Sequence, residues 1–201
     1  MMSWRSFFSF LGFMASPPLP EVDKDSHSSS TEVAIFSGGC FWCEEEVFAD
    51  LPGVISVISG YTGGHTPPPT YDSVSAGGTG HKESVQVTFD PTKITYEQLL
   101  DAFWYNIDPF DPNGQFCDKG DSYKAVIFYT NNNQKQKAEM SKKKLEAMFN
   151  KAVLTEIRVA SPFYPAEDYH QKYAKKNPIQ YKCYRYSSGR DKGLEEIWGR
   201  K

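Results

Sequence analysis

Residues 33–48 read VAIFSGGCFWCEEEVF, and this stretch sets the pattern of the chain. Its apolar beginning, residues 33–37, predicts a short strand, because β-branched and aromatic side chains are followed at once by a pair of glycines. A helix is predicted from Cys40 to residue 51, where a Pro-Gly pair ends it. The domain thus begins as a strand that leads into a helix, with a cysteine at the junction.

The remaining segments alternate in the same way between strand and helix patterns. Strands are predicted at residues 54–61, 83–89, 123–129 and 155–160, helices at 95–106, 134–149 and 165–173, and long loops at 62–80 and 108–122, before a tail rich in tyrosine and lysine. The first eight elements follow the order β-α-β-β-α-β-α-β. This order predicts an α+β fold, a two-layer sandwich of helices packed on a mixed sheet, with a ferredoxin-like core.

Length and composition exclude several classes of protein. The 201 residues carry 22 Lys and Arg against 25 Asp and Glu, so the formal net charge of −3 lacks the basic excess of a nucleic-acid binder. No apolar run approaches the roughly 20 residues of a membrane-spanning helix. With 39% hydrophobic residues the chain can bury a sizeable core, and one globular domain, expected to be a monomer, is predicted over residues 31–201.

The first 30 residues differ in composition from this domain. An aromatic-rich run, SFFSFLGFMA at residues 6–15, precedes prolines and then a serine-rich stretch. This composition predicts a disordered N-terminal arm or linker. Arg5 ahead of the apolar run also suits a short export signal, although serines and a glycine interrupt the run and no clear Ala-x-Ala cleavage site follows. Both interpretations stay open.

Cysteine carries the most reactive chemistry in this sequence. Four cysteines, at positions 40, 43, 117 and 183, are too few for a disulfide scaffold in a chain of this length. Cys40 stands where a helix begins, and there free backbone N–H groups and the helix dipole stabilise a thiolate and lower the pKa of a cysteine. We therefore expect Cys40 to be a nucleophile, the alternative being an inert buried thiol.

Cys43 lies three residues further along the same helix, a spacing that suits a resolving thiol for Cys40. A Cys-x-x-Cys pair also occurs in thiol-disulfide oxidoreductases of the thioredoxin type, but these place a complete β-α-β unit before the pair, and here one strand precedes it. Zinc sites use the same pair. Further zinc ligands would have to come from Cys117, Cys183, His65, His81 and His170, among which there is no second close pair.

Two later segments carry candidate proton donors. Glu83 begins a predicted strand on its apolar face, where burial would raise the pKa of the carboxyl, whereas a frayed strand end would leave it in water. Tyr123 either presents its hydroxyl to a pocket or packs as an ordinary core tyrosine. Asp118, before a glycine, has the spacing of a turn residue. The three glutamates at positions 44–46 are interpreted as solvated charges near the helix N-terminus.

Five separated motifs occur together in this chain. In order they are Gly39-Cys40-Phe41-Trp42-Cys43, Gly60-Tyr61-Thr62-Gly63-Gly64, Thr70-Tyr71, Gly80-His81-Lys82-Glu83 and Asp118-Lys119-Gly120-Asp121-Ser122-Tyr123. In order and approximate spacing they resemble the A-type methionine sulfoxide reductases over about residues 32–186. The resemblance implies an enzyme that reduces the S epimer of methionine sulfoxide, free or in proteins, and so repairs oxidised proteins.

The resemblance also implies roles for individual residues. Cys40 would attack the sulfoxide sulfur and become a sulfenic acid, and Glu83 would protonate the sulfoxide oxygen. The other implied roles are oxygen binding by Tyr71 and Tyr123, orientation of the site through water by Asp118, and an apolar pocket for the S-methyl group formed by Phe41 and Trp42.

A second thiol must condense with this sulfenic acid. The family varies in the place of its resolving cysteine, so Cys43 is the first candidate and Cys117 and Cys183 are alternatives; many relatives have Asn where this chain has Cys117. A thioredoxin-type reductant would reopen the disulfide, and no metal or organic cofactor is required because thiols supply the electrons. Recycling by thioredoxin favours the reducing cytoplasm, with export through the N-terminal segment as the alternative.

Overall fold

The centre of the fold is a six-stranded mixed sheet, seen in a computed structural model that describes residues 31–66 and 68–199. Its strands are β1 Glu32–Ser37, β2 Val54–Thr62, β3 Lys82–Phe89, β6 Val126–Tyr129, β7 Glu156–Val159 and β8 Tyr164–Pro165, while β4 Gly114–Gln115 and β5 Asp118–Lys119 form a separate two-stranded sheet. The spatial order is β7-β6-β1-β3-β2-β8. The β6–β7 pair is parallel and the other neighbours are antiparallel.

Helices pack against this sheet and bury its apolar face. They are α1 Phe41–Ala49, α2 Tyr71–Ala76, α3 Tyr96–Trp104, α4 Asn132–Phe149, α5 Tyr173–Lys176, α6 Pro178–Ser187 and α7 Arg190–Trp198. Phe36 of β1 stacks on Phe48 of α1 and on Phe103 of α3, with ring centroids 5.1 Å apart in each pair. All three rings are fully buried, so one aromatic cluster holds α1 and α3 against the central strand β1.

The α+β class, with helices packed on a mixed sheet, is confirmed. The elements β1, α1, β2, β3, α3 and β6 follow one another in β-α-β-β-α-β order close to the predicted positions. This connection order does not by itself establish a ferredoxin-like core, which stays a prediction. The predicted N-terminal arm over residues 1–30 lies outside the described residues, and the extent of the domain over residues 31–201 also stays a prediction.

The C-terminal part of the chain differs most from the sequence-based expectation. The helix predicted at residues 165–173 is wrong, because the segment contains the end of β8 and turns, and α5 begins at Tyr173. The tail that follows is helical in α6 and α7. Its helices bury Tyr181, Arg190 and Leu194 rather than a stripe of aliphatic residues, so they lack the apolar period by which a helix is recognised.

Two smaller differences between the predicted and observed elements lie at residues 62–80 and at Tyr123. The loop predicted at residues 62–80 contains α2, whose N-terminus is capped by reciprocal hydrogen bonds between Thr70 and Ser73. The strand predicted to begin at Tyr123 begins at Val126, because Tyr123 ends a 3-10 turn that starts at Asp121. Among the helices of the described part of the chain, none is long and apolar enough to span a membrane.

Candidate active site

Cys40 caps the N-terminus of α1, at the junction with β1. The packing requires the two glycines in front of it. A Cβ on Gly38 would stand 2.3 Å from Glu44 Oε1, and Gly39 has a φ of +93° with Arg190 Nη2 only 2.7 Å from the place of its Cβ. The turn therefore lets two buried ionisable side chains approach the backbone beside the thiol.

Glu83 on β3 reaches the first turn of α1. Its Oε2 accepts a hydrogen bond of 3.1 Å from the N–H of Phe41. Glu83 is only 3% exposed. This burial raises the pKa of the carboxyl to about 8, against the opposing effect of the Phe41 hydrogen bond. The interpretation of Glu83 as a buried carboxyl is confirmed, and with this pKa it carries a proton at neutral pH.

A cavity of about 80 Å³ lies where α1 begins. Its lining consists of Cys40, Phe41, Trp42, Tyr71, Glu83, Asp118, Tyr123 and Tyr184. All but Tyr184 are site residues that the sequence predicts, and the fold brings them together from α1 and its N-cap, α2, β3, β5 and the 3-10 turn. A larger groove, about 370 Å³, lies beyond the other end of α1 against Ile55 and Lys175 and contains none of these side chains.

Residues from the C-terminal part of the chain hold the aromatic wall of the cavity in place. The ring of Trp42 stacks on Tyr173 with centroids 3.7 Å apart and planes 5° from parallel, and its Nε1–H donates to His170 Nδ1 at 3.1 Å. His170 also contacts the ring of Phe41, 4.9 Å away between centroids. These contacts leave Phe41 and Trp42 little rotational freedom, which suits a preformed apolar pocket.

Tyr71 is placed by a carboxylate outside the cavity. Glu167 accepts the backbone N–H of Tyr71 at 2.9 Å and the hydroxyl of Tyr61 at 2.8 Å. Because both bonds favour the charged carboxylate, they lower the pKa of Glu167 in spite of its partial burial. Glu167 thus anchors α2 to β2 and directs the start of α2 towards the site.

The two cysteines of the Cys-x-x-Cys pair are both buried, Cys40 at 6% exposure and Cys43 at zero. The hydrogen bond between their side chains and the guanidinium of Arg190 lower the pKa of Cys43. Burial, the same bond and the charge of Glu83 raise the pKa of Cys40. The expected lowering at the helix N-terminus is therefore wrong: the N–H of Phe41 is donated to Glu83, and Cys40 makes no side-chain cap hydrogen bond.

A buried cation lies beside this thiol pair. Arg190, at 1% exposure, donates from Nη2 to the carbonyl of Gly38 at 2.8 Å and from Nη1 to that of Asn106 at 2.7 Å. Its Nη1 lies 3.8 Å from Oε1 of Glu44, and burial raises the pKa of Glu44 to about 8. The expectation of a solvated charge is wrong for Glu44 and also for Glu45, because the first turn of α1 is covered by α7 and by residues near Lys172.

Asp118 is held by the C-terminal helix α6. Tyr184 donates to Asp118 Oδ2 at 2.5 Å, and the exposed Cys117 lies with its Sγ 3.6 Å from Oδ1. Cys183 precedes Tyr184 on α6 and is also exposed. Of the three candidate resolving thiols, Cys43 is the one hydrogen-bonded to Cys40.

Sequence reasoning missed Tyr184 and Arg190. Both lie in the tail, for which the sequence predicts no helix, and neither belongs to one of the five motifs. The available signal was the spacing of Tyr181 and Tyr184, which places two hydroxyls on one face if the tail is helical.

Two hydrogen-bonded thiols beside a protonated carboxyl can exchange a pair of electrons and deliver a proton to a small substrate. Over residues 31–66 and 68–199, no group of three or more His, Cys, Asp or Glu side chains is arranged to hold a metal ion. The class that this fold and cavity define is that of the thiol-dependent oxidoreductases.

Comparison with known proteins gives the family within that class. The model of the family "Peptide methionine sulfoxide reductase" matches residues 32–201. The peptide methionine sulfoxide reductase MsrA of Bacillus licheniformis is 53% identical over 172 residues, which cover 85% of this chain and 95% of that protein. The chain therefore belongs to the peptide methionine sulfoxide reductase family, as the resemblance of the motifs implied.

Solved structures of the same family share the fold. Methionine sulfoxide reductase A of Corynebacterium diphtheriae is 34% identical, with 74% of this chain and 76% of that chain covered and a TM-score of 0.67. Mxr1 of Saccharomyces cerevisiae in reduced form is 28% identical, with 76% and 88% covered and a TM-score of 0.71. Mxr1 has also been solved in complex with Trx2, at 20% identity, with 73% and 87% covered and a TM-score of 0.50.

Proposed function

We propose that this chain reduces methionine S-sulfoxide, free or within proteins, to methionine through a thiol cycle on Cys40, and so repairs oxidised proteins. The observation that carries the proposal is the shared cavity of the Cys40 thiol and the protonated Glu83 carboxyl. A sulfoxide accepts electrons from a thiolate when its oxygen is protonated at the same time, and a substrate bound in this cavity would contact both groups. Membership of the family supports the same reaction.

In the first step Cys40 attacks the sulfoxide sulfur and Glu83 protonates the oxygen. Methionine leaves reduced by two electrons, and Cys40 keeps the oxygen as a sulfenic acid, oxidised by two electrons. The protonated state of Glu83 serves this step twice. It supplies the proton, and it removes the negative charge that otherwise raises the pKa of Cys40.

The other residues of the cavity bind and orient the substrate. Tyr71 and Tyr123 have raised pKa values because of burial and the charge of Glu83, so both hydroxyls keep their protons as donors to the sulfoxide oxygen. The rings of Phe41 and Trp42 receive the S-methyl group. Asp118 orients the polar side of the site.

In the second step Cys43 attacks the sulfenic acid of Cys40, which forms a disulfide and releases water. The side-chain hydrogen bond between the two thiols and the lowered pKa of Cys43 support this assignment. Thioredoxin then reduces the disulfide. The structure of Mxr1 in complex with Trx2 supports this kind of partner.

Turnover of methionine S-sulfoxide with dithiothreitol tests the reaction. We expect the Cys40→Ser variant to form no methionine and the R epimer not to be a substrate. The matched control is Cys183→Ser, an exposed cysteine on α6, which should keep the parental rate. Methionine formation by Cys40→Ser at the rate of the parent would contradict the proposal.

The resolving step needs a separate measurement. The Cys43→Ser variant should still form about one methionine per chain without reductant, but should lose thioredoxin-driven cycling. Normal cycling in Cys43→Ser, together with its loss in Cys117→Ser or Cys183→Ser, would move the resolving role to the exposed cysteine concerned.

A further inference from the structure

The helix α6 presents a tyrosine hydroxyl to each sulfur of the thiol pair. Tyr181 lies next to Cys43, and one turn later Tyr184 lies next to Cys40, each hydroxyl within hydrogen-bonding reach of its sulfur. Tyr184 also lines the cavity. None of the five motifs includes it, and the reaction as proposed above gives it no role.

Tyr184 is held firmly in this place. Its ring meets the ring of Trp42 edge-on, 5.6 Å between centroids and 84° between planes. Its helix is fixed to α1 because Tyr181 donates to Glu46 at 2.5 Å and Arg185 forms an ion pair with Glu46 at 3.2 Å. The Tyr184 hydroxyl therefore stays between Cys40 and Asp118.

The first step of the reaction requires a place for the proton of the Cys40 thiol. Burial opposes the thiolate, and Glu83 cannot accept this proton because it must carry one to the sulfoxide oxygen. The remaining carboxyl of the cavity is that of Asp118. Tyr184 connects the two, since its hydroxyl contacts Cys40 and donates to Asp118 Oδ2 at 2.5 Å.

We propose that Tyr184 is a catalytic residue that relays the proton of the Cys40 thiol to Asp118 as the sulfur attacks. The thiol proton moves to the Tyr184 oxygen while the hydroxyl proton moves to Asp118, so the tyrosine ends unchanged and the sulfur keeps its electron pair for the sulfoxide. Asp118 then releases the proton to water. This inference rests on the proposed reduction and assigns a residue to its first step.

The pH profile of the first-turnover rate reports on this relay, but other titratable groups also lie near Cys40. The titratable and charged side chains that surround Cys40 or share its cavity are Cys43, Tyr71, Glu83, Asp118, Tyr123, Tyr184 and Arg190. A substitution of Tyr184 alone leaves the other groups in place, so a change in the profile reports on the hydroxyl.

The test is the first turnover of the full chain with excess methionine S-sulfoxide and no reductant, followed from pH 5 to 9 by rapid quench. In Tyr184→Phe the ring still packs on Trp42 while the hydroxyl is lost. We expect the rate at neutral pH to fall about 10²-fold and its rising limb to move to higher pH. The matched control is Tyr186→Phe on the same helix, which is 88% exposed and should keep the parental profile.

A purely structural role of Tyr184 gives a different result. An equal loss at every pH, or an unchanged rate and profile, would overturn the relay. Asp118→Asn provides the second measurement: it should shift the same limb, and the double variant should lose no more than either single variant, because both interrupt one path. Additive losses would also overturn it. Cys40→Ser separates this result from the reaction itself, because activity without Cys40 refutes the reduction, whereas a failed relay leaves it intact.

Discussion

Glu83 and Glu44 both lie near the thiol pair, and burial raises the pKa of each carboxyl to about 8. Glu83 lines the cavity and accepts the N–H of Phe41. Glu44 faces Arg190, and neither of its buried oxygens has a hydrogen-bond partner among the described residues. Both carboxyls therefore have a similarly raised pKa, and in the proposed reaction only Glu83 acts as the acid because it has access to the cavity.

The largest effect expected from this contrast is on activity. Glu83→Gln removes the proton donor without changing the shape of the side chain, and methionine formation should fall by about 10²- to 10⁴-fold. Glu44→Gln removes an equally buried carboxyl and should stay close to the parental rate at pH 7. Turnover with dithiothreitol measures both. Equal losses of activity in the two variants would show that burial near the thiols, rather than access to the cavity, determines whether a carboxyl contributes to the reaction.

The next largest effect is on the free energy of unfolding, through the contacts of Arg190 near Glu44. Arg190→Met leaves the carbonyls of Gly38 and Asn106 without their donor, and the free energy of unfolding should fall by about 3 kcal/mol. Lys192→Met on the same helix is the control, because its side chain is 81% exposed. Urea unfolding compares the two. If both variants were equally stable, the guanidinium of Arg190 would not stabilise the turn at Gly38.

The pH dependence of activity distinguishes the role of Glu83 from that of Glu44. Since the proposed reaction requires a protonated Glu83, and its pKa is about 8, the rate should fall about tenfold per pH unit above that pH. The alkaline limb should persist in Glu44→Gln and vanish in Glu83→Gln. An alkaline limb that follows Glu44 instead would reverse the assignment of the two carboxyls.

The smallest effect, taken per pH unit, is on the pH dependence of stability. Both carboxyls have a higher pKa in the folded chain than the ordinary 4.5, so the folded state binds more protons between about pH 4.5 and 8. The free energy of unfolding should therefore be highest below this window and decline through it, by at most about 1.4 kcal/mol per pH unit for each carboxyl. Glu44→Gln should make the decline shallower, as urea unfolding at several pH values would reveal. An unchanged slope would mean that Glu44 has an ordinary pKa in the folded chain and is already ionised in this window.

The N-terminal half of the site was predictable because its residues belong to elements with strong local signals. Cys40 follows a strand and two glycines, and Glu83 begins a strand with strict apolar alternation. Periodicity fixes where such side chains point, and the motifs supplied Tyr71 and Tyr123. The pKa of Cys40 was not predictable from helix position, because the sequence does not show that Glu83 accepts the N–H of Phe41.

The C-terminal half of the site was not predictable in the same way. Helices α6 and α7 contact the core through Tyr181, Tyr184 and Arg190, which are residues that usually indicate a solvated surface. Their partners, Glu46 and Asp118 among them, lie more than 60 residues earlier in the chain. Local patterns carry no information on such long-range pairs, so only the folded chain shows that the tail completes the cavity.

The bond from Arg190 to the carbonyl of Gly38 joins positions 152 residues apart. On the ribosome, α1 leaves the exit tunnel long before α7 is translated. A nascent chain therefore exposes Cys40 and Cys43 without their covering helices, and the two thiols become enclosed only after α7 has been synthesised. A chain terminated before Arg190 should keep both thiols open to alkylating reagents.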